Sequence, residues 1–254
     1  MSRDRQIFSL AQLLTESNGG FVSQFDRTIS YLQNKNKILF VTTSNRFQMK
    51  KVPIDIPKST KIALAMASKL DEKVTIVDAA KLKIDICEGN VSRMDGNSCG
   101  TKESLLKDKE KNPSGYHRCW ASLHNSDDEL WKISKELFES DCVVFFSSVR
   151  WGSANMFYQN LIERLNWINN RYVPLGESNL LKKIGSGFIC IGQHDDAEKV
   201  CAVQKDCHDY YGFDVNGKLY WYWMAEDIDF DDETLKGYLE SYPEFYKEFR
   251  IIKK

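Results

Sequence analysis

The chain has 254 residues, a length that suits one domain with extensions or, less readily, two small ones. Hydrophobic residues make up 42% of it, enough for a sizeable core, while 28% are charged and nearly cancel to a formal net charge of −1. That balance excludes a global basic field for holding nucleic acid or an anionic membrane, and no apolar run approaches the ~20 residues of a membrane span.

Residues 1–35 read as two short helices with a turn at Ser17-Asn18-Gly19-Gly20, and their start lacks a signal-peptide pattern. Five apolar runs then have strand character: Lys37–Thr42, Lys73–Asp78, Cys142–Ser147, Gly187–Ile191 and Leu219–Trp223. The third and fourth are apolar throughout, as strands covered on both faces are. Helical patterns lie between the strands. Ser59–Leu70 carries Ile62, Ala63, Met66 and Leu70. Asp127–Glu139 carries Leu130, Ile133, Leu137 and Phe138, with Ser126 and Glu129 spaced as a capping box. Asn155–Ile168 carries Tyr158, Leu161, Ile162, Leu165 and Ile168, and Asp195–Tyr211 carries Val200, Val203, Cys207 and Tyr210. Residues 79–125 interrupt the alternation as a long irregular insertion. After Met224 the chain turns acidic and then aromatic, and reads as a surface helix, with a partner-binding tail as the alternative.

Alternating strands and helices imply an α/β fold with a parallel sheet covered on both faces. Such sheets bind ligands beyond the carboxyl ends of their strands, at the topological switch point. The places to search therefore follow Thr42, Ser147 and Ile191. The first holds Thr43-Ser44-Asn45-Arg46, and Ser59-Thr60 opens the next helix. Hydroxyls and free N–H groups at a helix start, with an arginine nearby, suit a phosphate; a plain helix cap is the alternative. The glycine-rich dinucleotide fingerprint and the Walker A pattern are both absent from the sequence.

The second place holds Ser147-Ser148-Val149-Arg150-Trp151-Gly152-Ser153, followed by a helix closing on Ile162-Glu163-Arg164-Leu165. This stretch resembles the flavodoxin-like NAD(P)H-dependent oxidoreductases, which include FMN reductases, quinone reductases and iron–sulfur flavoproteins. Their strand leads into a Pro-Val-Tyr-Trp-Gly-Ser-like loop, then a helix ending Ile-Asp-Arg-Leu. Here Ser148 stands for the proline, Arg150 for the tyrosine and Gln159 for a common lysine. Val149-Arg150-Trp151-Gly152 is similar to the Thr-Arg-Phe-Gly of the quinone-reductase branch.

The resemblance implies a five-stranded parallel sheet in the order 2-1-3-4-5. Residues 36–225 would form the FMN-binding domain, between an N-terminal helical extension over 1–35 and a C-terminal helical tail over 226–254. It implies that Ser148, Val149, Arg150, Trp151, Gly152 and Ser153 wrap the isoalloxazine ring. It gives the phosphate to Thr43, Ser44, Arg46, Ser59 and Thr60. Gln193 and His194, after the fourth strand, would face the ring or the nicotinamide. The activity implied is an FMN-dependent NAD(P)H oxidoreductase, with NADH or NADPH as donor and a quinone, flavin or similar small molecule as acceptor. A homodimer or homotetramer is implied as well, while the scattered cysteines point to the cytoplasm and the charge balance to no nucleic-acid or membrane partner. The flavin performs the chemistry, so no catalytic side chain is required, although His194 is a candidate proton donor; a solvent-facing turn histidine is the alternative. Two other functions stay open: an electron carrier of the flavodoxin type, and a protein on this fold that has lost the flavin.

Seven cysteines without close pairs read as reduced thiols. Eleven residues separate Cys87 from Cys99 and nineteen separate Cys99 from Cys119, unlike cluster or zinc spacings. Structural thiols are therefore expected and no metal; a Cys/His site with His117 and His124 is the alternative. Cys142 and Cys190 belong to strands and so to the core. His208 is expected on the helix surface, and Trp221, Tyr222 and Trp223 in packing.

Overall fold

The computed structural model describes residues 24–45, 56–192 and 196–224. Its parallel sheet runs in the spatial order β2 (Val74–Asp78), β1 (Ile38–Thr42), β3 (Cys142–Arg150), β5 (Gly185–Gly192), β6 (Asp214–Met224). A short β4 (Ser153–Ala154) pairs antiparallel with the end of β3. With β4 set aside this is the expected order 2-1-3-4-5, a flavodoxin-like α/β sheet.

Strand side chains alternate between the two faces, so each central strand feeds two cores. Leu39, Val41, Val143, Phe145, Phe188 and Cys190 belong to one core. Against them pack α4 (Leu130–Glu139), α5 (Met156–Arg164), α6 (Asn166–Tyr172) and α7 (Ala197–Tyr211). Ile38, Phe40, Cys142, Val144, Phe146 and Ile189 belong to the other, covered by α1 (Gln24–Leu32) and α2 (Lys58–Ala67). Burying each such side chain stabilises the fold by about 1.5–3 kcal/mol. Phe25, Ile29 and Leu32 of α1 share this second core, and Trp221 Nε1 donates to Thr28 Oγ1 at 3.0 Å. The expected turn at 17–20 and the tail over 226–254 lie outside the described residues.

Several boundaries differ from the sequence reading. The 155–168 pattern is two helices that break at Leu165, and burial continues through Trp167 and Ile168. The expected capping box does not form. Leu130 N donates instead to Asp128 Oδ2 at 3.3 Å, and Glu129 Oε2 accepts from Lys83 N at 2.8 Å, which fastens the insertion to the start of α4. In α7 the buried stripe is Val200, Cys201, Gln204, His208 and Tyr211, while Val203 and Tyr210 are exposed. The helix is rotated by one residue, about 100°, from the apolar reading. His208 is therefore fully buried, contrary to expectation. Its Nε2 lies 2.9 Å from Tyr158 Oη and its Nδ1 2.8 Å from Tyr220 Oη, and burial pushes its pKa down to about 3. Two phenolic partners satisfy the ring, so a polar side chain can take a core position.

The 79–125 insertion has short 3₁₀ turns and a five-residue helix, α3 (Trp120–His124). Arg164, at the end of α5 with a fully buried side chain, pins it. Its guanidinium donates to Asp128 Oδ1 and Oδ2 at 2.7 and 3.0 Å, to Asp85 O at 2.6 Å, to Ser122 Oγ at 2.9 Å and to Cys119 Sγ at 3.3 Å.

Candidate functional site

At the carboxyl ends of β1 and β3 the chain changes from apolar to hydroxyl-bearing residues. Thr43 continues β1 by one ladder bond, its N–H donating to Phe146 O at 3.0 Å, and its hydroxyl donates to the same oxygen at 3.1 Å. Ser44 is next and is buried. Helix α2 then presents its N-terminus. Its cap residue is Pro57, which makes no side-chain capping bond, so Ser59 and Thr60 lie inside the first turn rather than at the cap. Ser59 Oγ donates to Ser44 Oγ at 2.7 Å and ties that turn to the β1 loop. Among the described residues the buried Thr60 hydroxyl has no hydrogen-bond partner, nor has that of Thr42 at the end of β1. Such orphans cost stability and call for an explanation. Lys58 is buried in the same turn, where the helix dipole favours an anion over a cation.

β3 runs past Ser147 into a hairpin with β4, where the sequence reading ended the strand. Val149 pairs with Ala154 and Arg150 with Ser153, so Trp151 and Gly152 form a two-residue turn. Their φ values of 50° and 71° are both left-handed, as a type I′ turn requires. Trp151 is 98% exposed there, and Arg150 is exposed beside it. On the other side of β3, Ser148 is in register with Ile191 of β5, so Gly192 ends beside the root of the hairpin.

One residue joins these pieces. Asn155 caps α5, and its Oδ1 accepts from Tyr158 N at 3.1 Å. Its Nδ2 faces four hydroxyl oxygens: Ser147 at 2.9 Å, Thr43 at 3.2 Å, Ser148 at 3.3 Å and Ser44 at 3.4 Å.

Of the residues expected at the site, Thr43, Ser44, Ser59 and Ser148 are thus brought into one network. Thr60 lies in the same helical turn as Ser59. Val149, Arg150, Trp151, Gly152 and Ser153 form the adjoining hairpin. Arg46, Gln193 and His194 fall outside the described residues. Sequence reasoning missed Asn155, Ser147, Thr42 and Lys58 as site residues. Asn155 did leave a signal, an asparagine directly before a periodic helix, but it was read only as a helix start.

The cysteines and remaining histidines lie elsewhere. Cys119 accepts from Arg164, His117 is buried against Ser134 at 2.9 Å, and His124 pairs with Glu88 at 2.8 Å on the surface. Cys142 and Cys190 are in the core. Among the described residues no helix is long and apolar enough to cross a membrane.

No protein-family model matches the chain, and no curated protein matches it in sequence. Solved structures do match its fold. RosB with bound 8-demethyl-8-formylriboflavin-5′-phosphate is 14% identical at a TM-score of 0.50, over 75% of this chain and 66% of that one. An azoreductase from Bacillus anthracis str. Sterne is 16% identical at 0.47, over 84% and 98%. An NAD(P)H:quinone oxidoreductase from Methanothermobacter marburgensis is 8% identical at 0.41, over 86% and 100%. At such identities the likeness is one of fold.

Proposed function

We propose that this chain binds FMN across the carboxyl ends of β1, β3 and β5 and works as an NAD(P)H-dependent reductase of quinones, flavins or similar small acceptors. The observation that carries the proposal is the start of α2, whose cap residue Pro57 makes no side-chain capping bond, with the buried Thr60 hydroxyl, partnerless among the described residues, in its first turn and the Ser44–Ser59 pair beside it. A helix N-terminus, its dipole and nearby hydroxyl donors together suit a dianionic phosphate. The hairpin supplies the other half of the fit. Its root, Ser148, shares the Asn155 network with Ser44, so the hairpin adjoins the α2 turn and a ligand lying across both would meet Ser44 and Ser59 on one side and the hairpin on the other. An aromatic side chain and a tight backbone turn suit the flat ring of a flavin. RosB, on the same fold, holds a riboflavin-5′-phosphate derivative, which supports this choice of ligand class. The resemblance of Ser147–Leu165 to the flavodoxin-like oxidoreductases supports it independently.

When bound, FMN supplies hydride acceptance and onward electron transfer. The side chains named here bind, orient and shield it. The proposal extends to Arg46 as a phosphate contact and to Gln193 and His194 as contacts of the nicotinamide or acceptor. It also includes assembly as a homodimer or homotetramer, to which the exposed Trp151 and Met156 contribute apolar surface.

The test is an FMN titration followed by stopped-flow mixing with NADH and NADPH. Bleaching of the bound flavin and reoxidation by a small quinone are expected. If dithionite reduces the bound FMN within minutes but neither nucleotide does, the electron-carrier reading takes over. If FMN does not bind, the flavin-free reading stands.

A further inference from the structure

We infer that Asn155 is a positioning residue that sets the polarity of the site's hydroxyls, turning the protons of Ser44 and Ser148 toward an anionic or electron-rich ligand. The inference deepens the flavin reading and rests on it for the ligand's identity. It begins with the orientation of the amide. Asn155 Oδ1 is committed to Tyr158 N–H, the capping bond of α5, at 3.1 Å. A flipped amide would set two N–H donors together, so the cap fixes Nδ2 on the side of the hydroxyls. The two Nδ2 hydrogens are then shared among the four hydroxyl oxygens within 3.4 Å, each of which accepts from it.

The protons can be followed from there. Thr43 sends its proton to Phe146 O at 3.1 Å, and Ser147 sends its own toward Ser148 O at 3.4 Å. Ser59 sends its proton to Ser44 Oγ at 2.7 Å. Ser44 and Ser148 remain. Each accepts from Asn155, Ser44 accepts from Ser59 as well, and neither hydroxyl finds an acceptor among the described residues. Ser44 is buried, with 6% exposure, so its proton has little access to water either. Ser44 lies on the phosphate side of the site and Ser148 at the root of the hairpin. One amide thus prepares two neighbouring donors, one from the β1 loop and one from the hairpin root, before any ligand arrives, the preorganisation that lowers the cost of binding.

Asn155→Asp separates this role from helix capping. Aspartate caps a helix as well as asparagine does and suits the dipole at its N-terminus. It also replaces the amide donor that faces Ser44 and Ser148 by an acceptor, so their protons would turn inward to the carboxylate. The variant is expected to melt at or above the wild-type temperature yet bind FMN about tenfold to a hundredfold more weakly, the scale of one lost charge-assisted hydrogen bond. Simple charge repulsion would also weaken binding, and a double-mutant cycle with Ser44→Ala tells the two apart. Reorientation predicts that Ser44→Ala weakens binding in the wild-type background and has little effect in Asn155→Asp; repulsion alone predicts the same loss in both.

Inorganic phosphate, followed by its effect on the melting temperature, serves as a probe independent of flavin. A wild-type protein stabilised by phosphate but not by FMN, with the stabilisation lost in Asn155→Asp, would keep this inference and sink the flavin reading. Equal binding by the variant and the wild type, additive losses in the cycle, or a wild-type protein stabilised by neither probe would overturn the inference.

Discussion

Trp151 holds a left-handed backbone conformation that costs a non-glycine residue roughly 1–2 kcal/mol, and almost all of its ring is in solvent. Neither folding nor packing accounts for tryptophan at this position. Asparagine is the residue a type I′ turn prefers ahead of glycine. Trp151→Asn is therefore expected to raise stability by about 1 kcal/mol in urea unfolding while weakening FMN binding. Tighter FMN binding by the variant would exclude the ring contact. Thr60 gives the same kind of test. Its buried hydroxyl lacks a partner among the described residues, so Thr60→Val removes an unmet cost of roughly 1–3 kcal/mol without changing the shape of the side chain. Stability is expected to hold or rise. Affinity for FMN is expected to fall while affinity for riboflavin, which lacks the phosphate, stays level. Equal losses for both ligands would remove Thr60 from the phosphate site.

At the scale of the elements, α5 has a polar anchor at each end: Asn155 joins its start to the site and Arg164 joins its end to the insertion. Removing one partner of a buried ion pair strands the other charge. Asp128→Ala is thus expected to cost about 3–5 kcal/mol, and Asp128→Leu combined with Arg164→Met to recover much of it. A urea midpoint for Asp128→Ala close to that of the wild type would show that the pair is solvated. The same elements show what the sequence disclosed. Cys142–Phe146 and Phe188–Cys190 were legible because strands buried on both faces leave unbroken apolar runs. The hairpin was not, because Ser148, Val149 and Arg150 continue β3 with residues that read as a loop. The stripe of α7 was misplaced because Gln204 and His208 look like surface residues until Tyr158 and Tyr220 are set against the ring. The turn that brings Ser44 and Ser59 together was legible from its hydroxyls. Asn155 was overlooked because its importance depends on β1 and β3 lying side by side, which no local pattern states.

For the whole molecule, the buried His208 and His117 shape the response to acid. Burial lowers His208 and His117 to about 3, far below the ordinary value near 6.5. Between those limits the unfolded chain binds protons that the folded one refuses, so stability falls as the pH drops below about 6.5. Each histidine contributes up to about 1.4 kcal/mol per pH unit there. Asp128 adds a loss only at lower pH, because Arg164 and Ser122 hold its carboxyl below the usual carboxylate range against the opposing effect of burial. Urea unfolding between pH 7 and pH 4 is expected to show this slope, reduced by about half in His208→Gln. An unchanged slope in that variant would mean that His208 is protonated in the fold. The anchoring of the insertion has a further consequence, for the order in which this architecture can be shortened or extended. A lineage that trimmed 79–125 to a tight turn would leave the Arg164 guanidinium facing a vacated interior, without Asp85 O, Ser122 or Cys119 as partners. The arginine must change before the segment is lost, or together with it; acquiring such a segment by the reverse route requires the acceptors to come with it.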